Sequence, residues 1–207
     1  NTLGQFRLDS GLVIDGPDTL GTNVGEKITE AVIAVLNALS RRENTINVIA
    51  HSRGAVQAIL VAHELKRIKD ALNENSDTVL CKIIKSSPCL YTQAGFQKME
   101  MKEQQITALQ QHKETIQTQL NTLKLSIFAI DPVPGGNWMG LNTGWKDERF
   151  YTVPNNVKRF DLYTYANERS RCFKVIVPDH APTTAYHWGV LPGHHGTGSG
   201  NFSSQQM

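Results

Sequence analysis

The chain has 207 residues, 40% of them hydrophobic and 19% charged, with a formal net charge of +2; that balance builds one substantial core and excludes a disordered segment. No lysine- and arginine-rich block interleaves with aromatics and no apolar run reaches bilayer length, so neither nucleic acid nor a membrane span is expected, and any membrane contact is peripheral. Cys81, Cys89 and Cys172 are odd in number and lack C-x-x-C spacing, which reads as packing thiols in a reducing compartment rather than a zinc site.

Nothing at the start has the form of a signal peptide. With Asn1 in first place and a glycine- and serine-rich end from Gly196 to Met207, the chain reads as a single domain over 1–207 taken from a longer protein. A cytoplasmic protein, or one exported by a specialised system, fits these features. Oligomeric state leaves no mark in the sequence.

Leu12-Val13-Ile14 reads as a short strand that stops at the turn Asp15-Gly16-Pro17-Asp18. A helix follows, capped by Thr22 or Asn23, with Val24, Ile28, Ala31, Val32, Val35, Leu36 and Leu39 on one face. Ile46–Ala50 is an apolar strand, and a second helix runs from about Gly54 to Lys69. Strand, helix, strand, helix in this order predicts an α/β fold with a mostly parallel sheet and helices on both faces.

Between the halves, 96–124 is rich in glutamine, lysine and glutamate, with Ile106, Leu109, Ile116, Leu120 and Leu123 at helical spacing. This is an amphipathic helical insertion near the catalytic edge of the sheet. It serves either as a lid that meets lipid or as a surface helix that packs its stripe on the domain. Later strands are expected at Leu125–Ile130, Val157–Tyr163, Cys172–Val177 and Tyr186–Leu191.

The run Ile46-Asn47-Val48-Ile49-Ala50-His51-Ser52-Arg53-Gly54-Ala55 carries the chemistry. A serine that attacks a carbonyl must stand clear of its own backbone, which a sharp strand-to-helix turn achieves, and small residues two before and two after it let neighbours press close. Here these are Ala50 and Gly54, so the first glycine of G-x-S-x-G has become alanine. The helix start would aim the Arg53 backbone N–H at an oxyanion. The plainer alternative makes Ser52 a helix N-cap and nothing more.

A nucleophilic serine needs a base, and the base needs an acid. Leu125–Ile130 gives way to Asp131-Pro132-Val133-Pro134-Gly135-Gly136, and an acid at the C-terminal end of a strand, after the serine in chain order, is where the acid belongs. Among seven histidines, His63 and His112 fall in predicted helices, and His51 beside the serine would line the site. His194 and His195 sit on the glycine-rich loop after the last strand, which can carry an imidazole over the sheet edge. Adjacent side chains on an extended segment diverge, so the pair reads as a source of the base rather than a metal site. His180 and His187 stand in reserve. No cofactor is called for.

The elbow H-S-R-G-A, the strand end F-A-I-D-P-V, the segment Asn167-Glu168-Arg169 and the closing W-G-V-L-P-G-H-H together resemble the α/β-hydrolase family that includes the type VI secretion phospholipase effectors. That family shows a G-F-S-R-G-A elbow, a strand ending in D-T-V, a D-E-R segment and a closing W-F-P-G-x-H loop. The resemblance implies an α/β-hydrolase-like fold, a bacterial effector, and a serine esterase acting on lipid or other carboxylic esters. It puts the nucleophile on Ser52 and the base on His195, with His194 beside it.

The I-D-P run is also similar to the acid-bearing strand end of the pancreatic-lipase group, which favours Asp131. Where the family has D-E-R, this chain offers only Glu168 as a rival acid. The family's opening strand and D-G-T-like loop, source of its second oxyanion donor, has no counterpart before Leu12. The alternative function is therefore a catalytically inactive hydrolase-fold effector or partner-binding module.

Overall fold

The computed structural model describes residues 11–16, 24–75, 79–87, 96–134, 148–168 and 174–199, with side chains from 103 onward in the segment that begins at 96. Its elements are α1 (Val24–Ser40), β1 (Thr45–His51), α2 (Arg53–Glu74), α3 (Leu80–Lys85), α4 (Phe96–Gln110), α5 (Lys113–Asn121), β2 (Lys124–Ile130), β3 (Thr152–Val153), β4 (Val157–Tyr165), β5 (Asp179–His180) and β6 (Ala185–Leu191). The fold is α/β. Four strands form one sheet in the order β1-β2-β4-β6, every neighbouring pair parallel, and β3 pairs with β5 in a separate parallel ladder.

Parallel pairing has one consequence for the site: all four main strands end at the same edge of the sheet. His51 pairs with Ile130, Ile130 with Tyr163, and Tyr165 with Leu191. The loops that leave these positions therefore converge there, although they are far apart in sequence.

Side-chain alternation divides the sheet into two faces. Val48, Ile127 and Phe160 form one row, and Ala50, Ala129 and Leu162 the next; the members on β2 and β4 are fully buried and those on β1 pack against the same core. Onto this face fold α1, α2 and α5, which touch one another while α2 lies along β1 and β2. Each fully buried aliphatic side chain, such as Leu36, Leu39, Ile59, Leu60 or Leu65, contributes about 1.5–3 kcal/mol. The row Ile49, Phe128, Asp161 and His187 points the other way, and Ile49 is 78% exposed. Among the described residues, then, helices cover one face of the sheet and not both.

Three further expectations change. Residues 11–16 form no strand: Val13 is exposed and, among the described residues, no neighbour supplies a ladder, without which an apolar triplet is not held extended. Of the strand expected over 172–177, residues 174–177 carry no regular structure although Ile176 donates its N–H to the Pro132 carbonyl at 2.9 Å. The 96–124 insertion is two helices, broken at Gln111-His112. Its stripe, Ile106, Leu109, Ile116, Leu120 and Leu123, is buried in the main core, as a helix pair packed on the domain requires. The Thr22 and Asn23 caps, Cys89 and Cys172 lie outside the described residues, and Cys81 is a free thiol.

One buried charge fixes the helix that follows the serine. Glu64 of α2, 2% exposed, accepts bonds from Arg67 at 2.9 Å and from Arg149 at 2.8 Å. Burial alone would raise its pKa, but the bond from Ser87 and the two guanidiniums outweigh it and hold the carboxyl below its ordinary value. A depressed carboxyl stabilises the fold above its unfolded pKa, about 4.3, and that stability is lost as pH falls through the folded value. Removing one partner of a buried pair costs about 3 kcal/mol at the low end of the range. Glu64→Gln is therefore expected to lower the melting temperature at pH 7 and to flatten its decline between pH 5 and 3. An unchanged acid limb in thermal melts would contradict this.

Candidate active site

Ser52 is the hinge between β1 and α2. Its N–H donates to the Ile130 carbonyl at 2.9 Å, continuing the ladder, while its backbone turns to φ 57° and ψ −126°. That region costs a non-glycine residue about 1–3 kcal/mol and persists where surrounding structure imposes it. The hydroxyl makes no capping bond to α2. Instead Ser52 Oγ lies 2.7 Å from His195 Nε2, which removes the N-cap reading. Arg53 is the first residue of α2, in the turn whose N–H groups have no carbonyl four residues back within the helix. Among the described residues the steric reason for Gly54 is not met, since a Cβ there would find none of their atoms within 4 Å; Ala50, by contrast, packs against the core.

Asp131 follows β2 at the same edge. Its side chain is fully buried and its backbone stands at φ 47°. The N–H donates to the Tyr163 carbonyl at 2.7 Å, Oδ1 accepts the Tyr165 N–H at 3.3 Å, and Oδ2 lies 2.5 Å from His195 Nδ1. The left-handed turn after an extended strand is what lets the carboxylate face the β6 loop. With Nδ1–H donated to Asp131, Nε2 is left to accept the Ser52 hydroxyl proton, so the series Ser52, His195, Asp131 is satisfied by one tautomer.

His195, 8% exposed, stands on the loop after β6 and opens a 3₁₀ turn, His195–Ser199. Gly193 has φ +121°, and a Cβ there would sit 2.8 Å from Thr197 Oγ1, the atom that accepts the His194 N–H at 3.1 Å. Gly193→Ala is thus strained both by its backbone and by this contact, at about 1–3 kcal/mol. We expect Gly193→Ala to lower the melting temperature by several degrees. An equal melting temperature in the two proteins would refute the constraint.

The remaining candidates sit apart from the series. His194 Nδ1 accepts the Gly196 N–H at 3.2 Å within its own loop. His180 Nδ1–H donates to the Ala181 carbonyl at 3.1 Å and its ring stacks on Tyr186, while His187 lies against Tyr163. His63, on α2, donates to the Thr152 carbonyl at 2.7 Å. His51 does reach the site: its Nε2–H donates to the His195 carbonyl at 3.1 Å, with ring centroids 4.8 Å apart. Burial first, and His195 beside it second, lower its pKa, which favours the neutral ring. Glu168 meets His195 at the backbone, Oε2 accepting its N–H at 2.8 Å. In the sequence Glu168 reads only as a rival acid, and nothing local marks this contact, which closes only when the loop after β6 folds onto it; the neighbouring Asn167 bonds the same loop at Gly193.

Among the described residues no three His, Cys, Asp or Glu side chains gather as metal ligands, and no helix is long and apolar enough to cross a membrane. Parallel α/β architecture with a strained serine between strand and helix, and loops converging at one sheet edge, defines a hydrolase-like fold. No family model matches the chain and no curated protein matches it. A solved structure described as "Structure of the Tle1 effector bound to the VgrG spike from the Type 6 secretion system" is similar, with 16% sequence identity and a TM-score of 0.42, over 84% of this chain and 30% of that one. The chain thus spans less than a third of that chain's length.

Proposed function

We propose that this chain is a serine hydrolase of carboxylic esters that works through an acyl-enzyme on Ser52. The observation that carries the reading is the unbroken series from Ser52 Oγ to His195 Nε2 and from His195 Nδ1 to Asp131 Oδ2, at 2.7 and 2.5 Å. As Ser52 Oγ forms its bond to the ester carbonyl carbon, its proton passes to His195 Nε2. Asp131 holds the ring in place and stabilises the imidazolium. The carbonyl electron pair moves onto oxygen, where the Arg53 N–H at the start of α2 is the candidate donor.

Collapse breaks the bond to the alcohol oxygen, which leaves with the proton from His195. Water then attacks the acyl-enzyme by the reverse sequence, giving its proton to His195 and releasing the carboxylic acid and Ser52. Lipid esters, phospholipids included, are the substrate class, on the support of the elbow and closing-loop motifs. The test is covalent labelling by a fluorophosphonate probe. We expect one label on the wild-type chain and none on Ser52→Ala; an unlabelled wild-type chain would instead favour an inactive binding module of the same fold.

A further inference from the structure

The loop that bears His195 is held internally by one 3₁₀ turn, His195–Ser199, and by short bonds among His194, Gly196 and Thr197, none of which ties it to the strand that leads into Ser52. Residues 192–199 include Gly193, Gly196 and Gly198, and glycine-rich segments lose much conformational freedom when ordered. Yet an imidazole that moves a proton must be held to within about 0.5 Å. The ring is fixed by Ser52 and Asp131 only as long as its main chain is already in place, because a shifted Cα would carry Nδ1 and Nε2 away from both.

Two side chains grip that main chain from opposite sides of the His195 Cα. Glu168 Oε2 accepts the His195 N–H at 2.8 Å, and His51 Nε2–H donates to the His195 carbonyl at 3.1 Å. The two come from different parts of the sheet edge: His51 is the last residue of β1, next to the nucleophile, and Glu168 lies three residues past the end of β4. The segment carrying Glu168 also grips the loop further up, with the Asn167 N–H on the Gly193 carbonyl at 3.0 Å and the Gly193 N–H on Asn167 Oδ1 at 3.2 Å.

We infer that Glu168 and His51 are positioning residues that clamp the main chain of His195, one at its N–H and one at its carbonyl, and so set the base against Ser52. The inference rests on the hydrolase reading, since it assigns His195 the task of moving the proton. Each peptide plane beside the His195 Cα is fixed by one of the two bonds, and together they determine the direction of the Cα–Cβ bond. Because His51 is anchored in β1, the same strand end delivers both the nucleophile and one half of the clamp. The distance between Ser52 and His195 is then set by a rigid element and not by the loop.

The test uses the whole 207-residue chain with Glu168→Ala, Glu168→Gln, His51→Phe and His51→Gln. Glutamine keeps an acceptor at 168 without the charge, and a side-chain N–H at 51 without the ring; phenylalanine keeps the ring without the donor. Three quantities are read: the rate of Ser52 labelling by a fluorophosphonate, kcat and KM on nitrophenyl butyrate, and the melting temperature. Misplacement of a reacting group by about 1 Å costs on the order of a hundredfold. We expect Glu168→Ala and His51→Phe to slow labelling and kcat by about ten- to a hundredfold, with KM and melting temperature barely moved, and both glutamine variants to regain most of the rate.

If Glu168→Gln is as slow as Glu168→Ala, the carboxylate acts through its charge and the clamp is wrong. Losses that follow the melting temperature, and vanish when rates are scaled to folded protein, overturn it as well. A wild-type chain that labels at Ser52 while all four variants label at the wild-type rate ends the clamp and leaves the hydrolase reading standing. A wild-type chain that does not label ends both.

Discussion

Ser52→Ala and His195→Ala are each expected to lower kcat for a soluble ester by about 10⁴- to 10⁶-fold, and the double variant to be little worse than either. The reason is that the two side chains share one proton along a 2.7 Å bond. Without Oγ there is no nucleophile for His195 to activate, and without the imidazole Ser52 stays a neutral alcohol that attacks poorly at pH 7. Ser52 does not support the core: it sits in a strained turn and makes no capping bond. Ser52→Ala should therefore leave the melting temperature within a few degrees of wild type, so the rate loss cannot be blamed on unfolding. Losses that multiply in the double variant would mean that the two do not act as one unit.

Asp131→Asn is expected to lower kcat by about 10⁴-fold, close to the effect of losing the base's correct tautomer in serine hydrolases generally. The fully buried carboxylate accepts from His195 Nδ1 at 2.5 Å and from the Tyr165 N–H at 3.3 Å. An amide in its place could turn its NH₂ toward Nδ1, forcing the ring to carry its proton on Nε2, where it can no longer accept from Ser52. Glu168→Gln gives the comparison. If Glu168 were the acid, its loss of charge would match the damage done at Asp131; as an acceptor of the His195 backbone N–H it should do far less. Steady-state kinetics on one ester, with both variants at pH 7, separates the two acids.

Much of this molecule could be read along the chain because alternation and helical spacing are local properties. The strands Thr45–His51, Lys124–Ile130, Val157–Tyr165 and Ala185–Leu191 are runs whose side chains alternate or stay apolar between turn residues, and a strand–helix–strand order leaves parallel pairing as the economical arrangement. The sequence also marked Ser52, Asp131 and the His194-His195 pair as residues standing where strands give way to loops.

What it could not contain is anything that depends on a partner far away in the chain. Whether Leu12-Val13-Ile14 is a strand depends on a neighbouring ladder, and the described residues supply none. The stripe from Ile106 to Leu123 looks the same on a lid and on a core helix, and only packing against α1 and α2 distinguishes them. Glu168 reads as a spare acid until the β6 loop folds its backbone N–H onto it across 27 residues. Likewise, that His195 and not His194 meets both Ser52 and Asp131 depends on how the loop turns through Gly193 at φ +121°, because one residue's rotation of a loop decides which of two adjacent side chains faces the sheet edge.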